Sequence, residues 1–160
     1  MRMHVKQRFL SLGDKYDIYD ESDRPLFQVQ GQVFSFGAKI SVMNLAGQEL
    51  FFIRQKVFRF LAEYHVYRGN DVCAVGKQRL SFLKPRLDVS SAYGDFEIEG
   101  DFMALDFAIR CNGAEVARVS KKFFSFTDRY GVEVYGNADP AFIATLVVAI
   151  DNCLHNGSSE

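Results

Sequence analysis

Residues 138–156 read ADPAFIATLVVAIDNCLHN, and this stretch decides the fold. Asp139 is a good helix N-cap, because its carboxylate can accept from the free amides of the first turn. Pro140 follows at the first helical position, where its missing N–H costs nothing. From Ala141 to Ile150 the only polar side chain is Thr145. A helix on the surface would carry a polar face at helical period, and this one carries none. Polar residues return at Asp151 and Asn152, and Asn156-Gly157 supplies a stop. At about 1.5 Å per residue, a helix over 140–155 is roughly 24 Å long.

A helix that is apolar all round lies in lipid or inside protein. Spanning a bilayer takes about 20 apolar residues, and shorter runs belong to protein cores. Asp139 and Asp151 bracket this run, with no Lys or Arg beside it as an anchor. The stretch therefore reads as a helix buried by the rest of the chain.

The remaining sequence must enclose it, and it reads as short strands. Alternation and turn signals mark strands near 2–10, 15–19, 25–34, 39–45, 49–58, 63–67, 71–80, 86–90, 95–101, 105–111, 114–122 and 129–135. Arg68-Gly69-Asn70-Asp71 and Asn112-Gly113 are the clearest hairpin turns. An internal repeat divides these strands into two sets of six. Phe27-Gln28-Val29-Gln30-Gly31 matches Phe96-Glu97-Ile98-Glu99-Gly100 at an offset of 69. After a short deletion Gly47, Lys56 and Tyr64 match Gly113, Lys122 and Tyr130 at an offset of 66.

Strand count and helix character converge. An eight-stranded barrel is filled by its own side chains, whereas about a dozen strands leave room for a helix about 10–12 Å across. The expected fold is mainly β: a closed antiparallel barrel of about twelve strands around a buried C-terminal hydrophobic helix. A chain of 160 residues, 48% hydrophobic, makes one such domain over 1–156, with a polar tail at 157–160 expected to be disordered.

Composition bounds the function. Net charge is -1, from 19 basic and 20 acidic residues, which argues against a nucleic-acid partner. Cys73, Cys111 and Cys153 are dispersed and odd in number, as suits a reducing cytoplasm. The N-terminal MRMHVKQRFL has no apolar signal region. His4, His65 and His155 are far apart, and no Gly-rich phosphate loop opens a helix. No enzymatic activity, catalytic residue, metal or cofactor is expected, and a cytoplasmic location follows, peripheral to membrane if lipid is the partner.

Several segments carry a family resemblance: Phe34-Ser35-Phe36-Gly37, residues 47–56 (GQELFFIRQK), 95–100 (DFEIEG), 117–122 (ARVSKK), 130–134 (YGVEV), and the ending Asp139-Pro140…Ala149-Ile150-Asp151. On these the chain resembles the LURP-one-related family, within the Tubby C-terminal-like superfamily that also includes phospholipid scramblases. The resemblance implies a twelve-stranded barrel around a buried helix and implies little about activity.

Candidate sites follow from charge and from that resemblance. Residues 127–139 are similar in position to the calcium-linked segment of scramblases. Only Asp128, Glu133 and Asp139 are available there, too few oxygens for calcium. The acidic turn Asp20, Glu21, Asp23 is a second weak calcium candidate, better read as a solvated turn. Basic residues gather at Arg54, Lys56 and Arg59, at Lys121 and Lys122, and at Lys77, Arg79, Lys84 and Arg86 with Phe82 and Leu83 between. Tubby-type domains bind phosphoinositide head groups through basic side chains on strands, so the resemblance makes Lys77, Arg79, Lys84 and Arg86 the expected anion-binding set. The plain alternative is that these cations guard solvated strand faces.

The first functional expectation is thus a non-enzymatic binding domain for anionic lipid head groups or phosphorylated ligands. The alternative is a protein-interaction domain using exposed aromatics, with Phe51, Phe58, Phe60 and Phe82 as candidates. Scramblase-like lipid handling ranks third, because it requires the short helix to enter the membrane. Oligomeric state is left open.

Overall fold

Alternation with a period of two builds a wall with one apolar and one polar face. In Glu63–Arg68, Tyr64 and Val66 are buried, while Glu63, His65 and Tyr67 point the other way. The computed structural model describes residues 1–6, 14–34, 37–56, 60–80, 85–123 and 129–155. Within them the strands are β1 (Arg2–Lys6), β2 (Asp14–Asp20), β3 (Pro25–Phe34), β4 (Gly37–Met43), β5 (Glu49–Lys56), β6 (Glu63–Arg68), β7 (Asp71–Arg79), β8 (Arg86–Ser91), β9 (Gly94–Asp101), β10 (Asp106–Cys111), β11 (Ala114–Ser120) and β12 (Arg129–Val134). One helix follows, α1 (Pro140–His155). Each strand pairs antiparallel with its sequence neighbours, and β1 closes on β12 from Arg2↔Glu133 to Lys6↔Arg129. Closure leaves no strand edge exposed.

The helix occupies the interior. Asp139 caps it, accepting from the Ala141 amide at 3.0 Å, and its carbonyl accepts from Ile143 at 3.0 Å. Residues 142–152 are all buried, about three turns with no face to solvent. Two of its polar side chains turn onto its own backbone: Thr145 Oγ1 donates to the Ala141 carbonyl at 2.7 Å and Asn152 Nδ2 to that of Val148 at 2.8 Å. Near its start, Phe142 packs on Tyr93, Phe96 and Phe51, with ring centroids 4.8, 5.4 and 5.6 Å away. Each buried Leu, Ile, Val or Phe contributes about 1.5–3 kcal/mol of hydrophobic stabilisation, which offsets the mediocre helix propensity of Val and Ile.

The barrel has two poles. The chain enters α1 at the pole that holds the turns after β2, β4, β6, β8 and β10. The helix runs toward the opposite pole, where β1, β3, β5, β7, β9 and β11 end.

The repeat is visible in the architecture, since its first segment lies on β3 and β9, six strands apart. Gly47 and Gly113 both sit in hairpin turns with positive φ, 82° and 86°. Tyr64 and Tyr130 are both fully buried. Tyr64 lies over its register partner Gly76, where a Cβ would fall 2.5 Å from the ring.

Most strand boundaries differ from the sequence reading by one or two residues, and two of the differences have a local cause. The eleventh strand stops at Ser120, whose Oγ accepts from the Lys122 amide at 3.1 Å and starts a single 3-10 turn, Lys121–Phe123. Leu105 has φ 53°, which strands avoid, so the tenth strand starts one residue later. The tail at 157–160 lies outside the described residues.

Candidate anion-binding surface

Lys77 and Arg79 face outward from β7, and Arg86 faces outward from β8. Lys84 lies outside the described residues. Antiparallel register sets Arg79 opposite Arg86 and Lys77 opposite Asp88. Asp88 lies between the two arginines, accepting from Arg79 Nε at 2.9 Å and from Arg86 Nε at 2.8 Å. Arg86 also reaches Glu97 at 3.1 Å and Glu99 at 3.9 Å, and Lys77 reaches Glu63 at 3.9 Å. The Asp88 carboxylate, through its hydrogen bond first, raises the Arg86 pKa further.

These contacts begin a ladder around the outer wall. Arg110 meets Glu99 at 3.9 Å, Arg118 meets Glu115 at 3.6 Å and Asp106 at 3.7 Å, and Arg2 meets Glu133 at 3.3 Å. The expected anion-binding set is therefore brought together, apart from Lys84, but largely neutralised. Three cations, Lys77, Arg79 and Arg86, face two acids, Glu63 and Asp88, before Glu97 and Glu99 are counted.

Beside Lys77 and Arg79 an open groove of about 540 Å³ is lined by Phe60, Leu61, Glu63 and Leu80 among others. Phe60 is 94% exposed and Leu80 76%. Gln78 fixes this corner: its amide donates to the Ala62 carbonyl at 2.8 Å and its Oε1 accepts from the Ala62 amide at 3.1 Å. Of the aromatics expected at the surface, Phe60 is exposed, whereas Phe51 is buried against Phe142. Phe51 occupies an inward position of β5, which alternation within residues 49–56 would have indicated. Phe58 and Phe82 lie outside the described residues. Leu80 was not singled out from sequence; its position immediately after the last β7 residue is the signal that would have found it.

The calcium candidates do not converge. Glu133 pairs with Arg2 on the outer wall, Asp139 is taken up in capping the helix, and Asp128 lies outside the described residues. In the acidic turn, Asp20 accepts from the amides of Ser22 and Arg24 and from Arg24 Nε at 2.8–3.0 Å. The Arg24 amide, first among these, holds the Asp20 carboxyl below its ordinary range. Asp23, at a positive φ of 59°, keeps an exposed side chain whose Oδ1 meets buried His4 Nε2 at 3.0 Å and Arg129 Nη1 at 3.2 Å. Burial, then Arg129, lowers the His4 pKa, against the opposing pull of Asp23. A neutral His4 thus donates from Nε2 to Asp23, and Arg129 donates to the same oxygen. No group of three His, Cys, Asp or Glu among the described residues is placed to hold a metal.

Other titratable groups are spread through the fold. His65 meets Glu63 at 3.1 Å on β6, five strands from His4 on β1. Cys73 and Cys111 are free thiols, and burial raises the Cys73 pKa. Inside the barrel Tyr130 donates to Asp151 at 3.2 Å. Burial first, and the Asp151 charge second, raise the pKa of both Tyr130 and Tyr16. No helix among the described residues is long and apolar enough to cross a membrane.

Comparison with known proteins bears on the whole of this architecture. The chain is 29% identical to the uncharacterised protein YxjI of Bacillus subtilis (strain 168), over an alignment covering 100% of this chain and 98% of that relative. Its fold matches the X-ray structure of the Arabidopsis thaliana protein AT5G01750, with a TM-score of 0.63 over 94% of this chain and 90% of the other. At 22% identity that likeness shows the fold alone. The family model described as LURP-one-related matches residues 1–151, from the strand that closes the barrel to the buried carboxylate near the end of α1. By that match the chain belongs to the LURP-one-related family.

Proposed function

We propose that the protein is a non-enzymatic binding domain that rests on an anionic membrane surface at the pole carrying Phe60, Leu80, Lys77 and Arg79. The observation that supports this reading is the exposure of two large apolar side chains beside two exposed cations around one groove. An apolar pair dips into the head-group boundary while the basic side chains stay at its level. Because acids neutralise most of the adjacent wall, apolar insertion leads and electrostatics assists, at most about 1 kcal/mol per basic residue near the surface. On this reading the protein is cytoplasmic and peripheral to membrane.

Vesicle co-sedimentation tests it. Phe60→Ser with Leu80→Ser should release the protein from anionic vesicles, and Lys77→Glu with Arg79→Glu should weaken binding in a salt-dependent way. Equal binding of both double variants and the wild type would refute the reading. A second reading uses the same pair: Phe60 and Leu80 as the anchor for a protein partner. That reading gains if the double Ser variant loses a protein contact while the wild type ignores vesicles.

A further inference from the structure

We infer that Lys39 on β4 and Arg54 on β5 form a receptor for a phosphate monoester, on a part of the wall separate from the groove at Phe60 and Leu80. This inference goes beyond the reading above and stands on different residues.

The hairpin places the two cations face to face. Asn44 accepts from the amides of Ala46 and Gln48 at 3.0 and 2.9 Å and fixes the turn. From that turn, register runs Val42↔Phe51, Ser41↔Phe52, Ile40↔Ile53 and Lys39↔Arg54. Lys39 and Arg54 are both exposed, and His65 is next in the row, opposite Arg54 on β6. Like charges directly opposite each other on adjacent strands are destabilising.

Among the described residues no acid relieves this pair. Of the nine arginines among the described residues, eight meet a carboxylate or a phenol: Arg2, Arg24, Arg68, Arg79, Arg86, Arg110, Arg118 and Arg129. Arg54 alone among them meets neither, and Lys39 has no acid partner among the described residues. The acids that flank the row are engaged elsewhere. Glu49 accepts from Ser41 Oγ at 2.8 Å, and Glu63 holds His65 and Lys77. The other opposed cations among the described residues have an acid at hand: Asp88 lies between Arg79 and Arg86, and Arg129, opposite Lys6, meets Asp23.

The chemistry of the missing partner follows from the two cations. Directly opposed residues have Cβ atoms about 4.5–5.5 Å apart, so one small anion can meet both side chains. A guanidinium fork takes two oxygens and an ammonium takes a third. A phosphate monoester offers three terminal oxygens and close to two negative charges at neutral pH, matching two cations. A carboxylate supplies half that charge and leaves one cation uncompensated.

The test is calorimetric titration with glycerol phosphate at fixed ionic strength, on the wild type and on Lys39→Gln, Arg54→Gln and, as a control in the ladder, Arg118→Gln. Glycerol phosphate should bind the wild type and Arg118→Gln alike, with about tenfold or greater loss of affinity in each of the other two, the scale of a lost charged hydrogen bond. Circular dichroism confirms that these exposed substitutions leave the fold intact. Vesicles of phosphatidic acid, a monoester, set against phosphatidylglycerol, a diester, separate a lipid source from a soluble one. Preference for phosphatidic acid assigns the receptor to a head group, and binding of glycerol phosphate without that preference assigns it to a soluble ligand. No binding of either monoester, or equal binding by all four proteins, would overturn the inference.

Discussion

Among the described residues three pairs of cations oppose each other across neighbouring strands; Arg129, opposite Lys6, meets Asp23, and the other two pairs differ in what lies between them. Arg79 and Arg86 share the Asp88 carboxylate at 2.9 and 2.8 Å. Lys39 and Arg54 share no acid among the described residues. The first pair is an internally satisfied piece of wall, and an incoming anion there would have to displace Asp88. The second costs the protein repulsion and gains from a ligand. Count of basic residues and cross-strand register rank the two regions in opposite order.

Both pairs depend on the scaffold that fixes their registers, so the largest effects come from breaking it. Leu146→Asp buries an unpaired carboxylate in the middle of α1 and should abolish folding, read as loss of soluble protein and of near-UV circular dichroism. The milder Leu146→Ala should cost about 2–5 kcal/mol in urea unfolding. Gly76→Val drives a side chain into the Tyr64 ring, where a Cβ alone already falls at 2.5 Å. It should cost about 1–3 kcal/mol and disturb β6–β7, leaving the Lys39–Arg54 hairpin in register.

Interior polar groups come next. Tyr130→Phe leaves Asp151 without the Tyr130 donor and should cost about 1–3 kcal/mol. The Tyr130 and Tyr16 pKa values are raised above the ordinary 10, so the unfolded chain loses these protons first. Their contribution to stability is full below pH 10 and is lost as pH rises above it, more shallowly in Tyr130→Phe. His4 works at the acid end. Its pKa is lowered from 6.5, so the unfolded chain takes up the proton first. That contribution is full above pH 6.5 and declines as pH falls below it; urea midpoints across this range should flatten in His4→Gln.

The smallest changes sharpen the comparison itself. Asp88→Asn turns the satisfied pair into a bare one and should lower stability by up to about 1 kcal/mol, an effect that added salt diminishes. Arg54→Gln should leave stability unchanged or slightly raised, measured by urea unfolding at low salt.

The interior of this molecule is legible in its sequence because hydrophobic pattern is local. Ten consecutive residues with one Thr require burial on every side, and the alternation before them supplies a wall of the needed number of strands. The repeat adds to this, with Tyr64 and Tyr130 recurring as buried residues six strands apart. Outer-wall chemistry is set between strands and is hidden from a scan for neighbouring charges. Lys77, Arg79 and Arg86 stand out in sequence, yet Asp88, two residues on, cancels much of them only once the hairpin is folded. Lys39 and Arg54 look unrelated until the turn at Asn44–Gln48 is taken as the hairpin's axis. The signal was present, in a turn whose centre lies midway between residues 39 and 54, and it needed register to be used.

A pair of double-mutant cycles at low salt tests this account most directly. One removes Arg79 and Asp88 singly and together as Arg79→Gln and Asp88→Asn; the other does the same with Lys39→Gln and Arg54→Gln. Opposite signs are predicted: a favourable coupling of about 0.2–1 kcal/mol in the first cycle and a repulsive one of similar size in the second. A favourable or vanishing coupling between Lys39 and Arg54 would mean that the pair is not a bare, opposed set of charges, and the contrast between the two regions would fall.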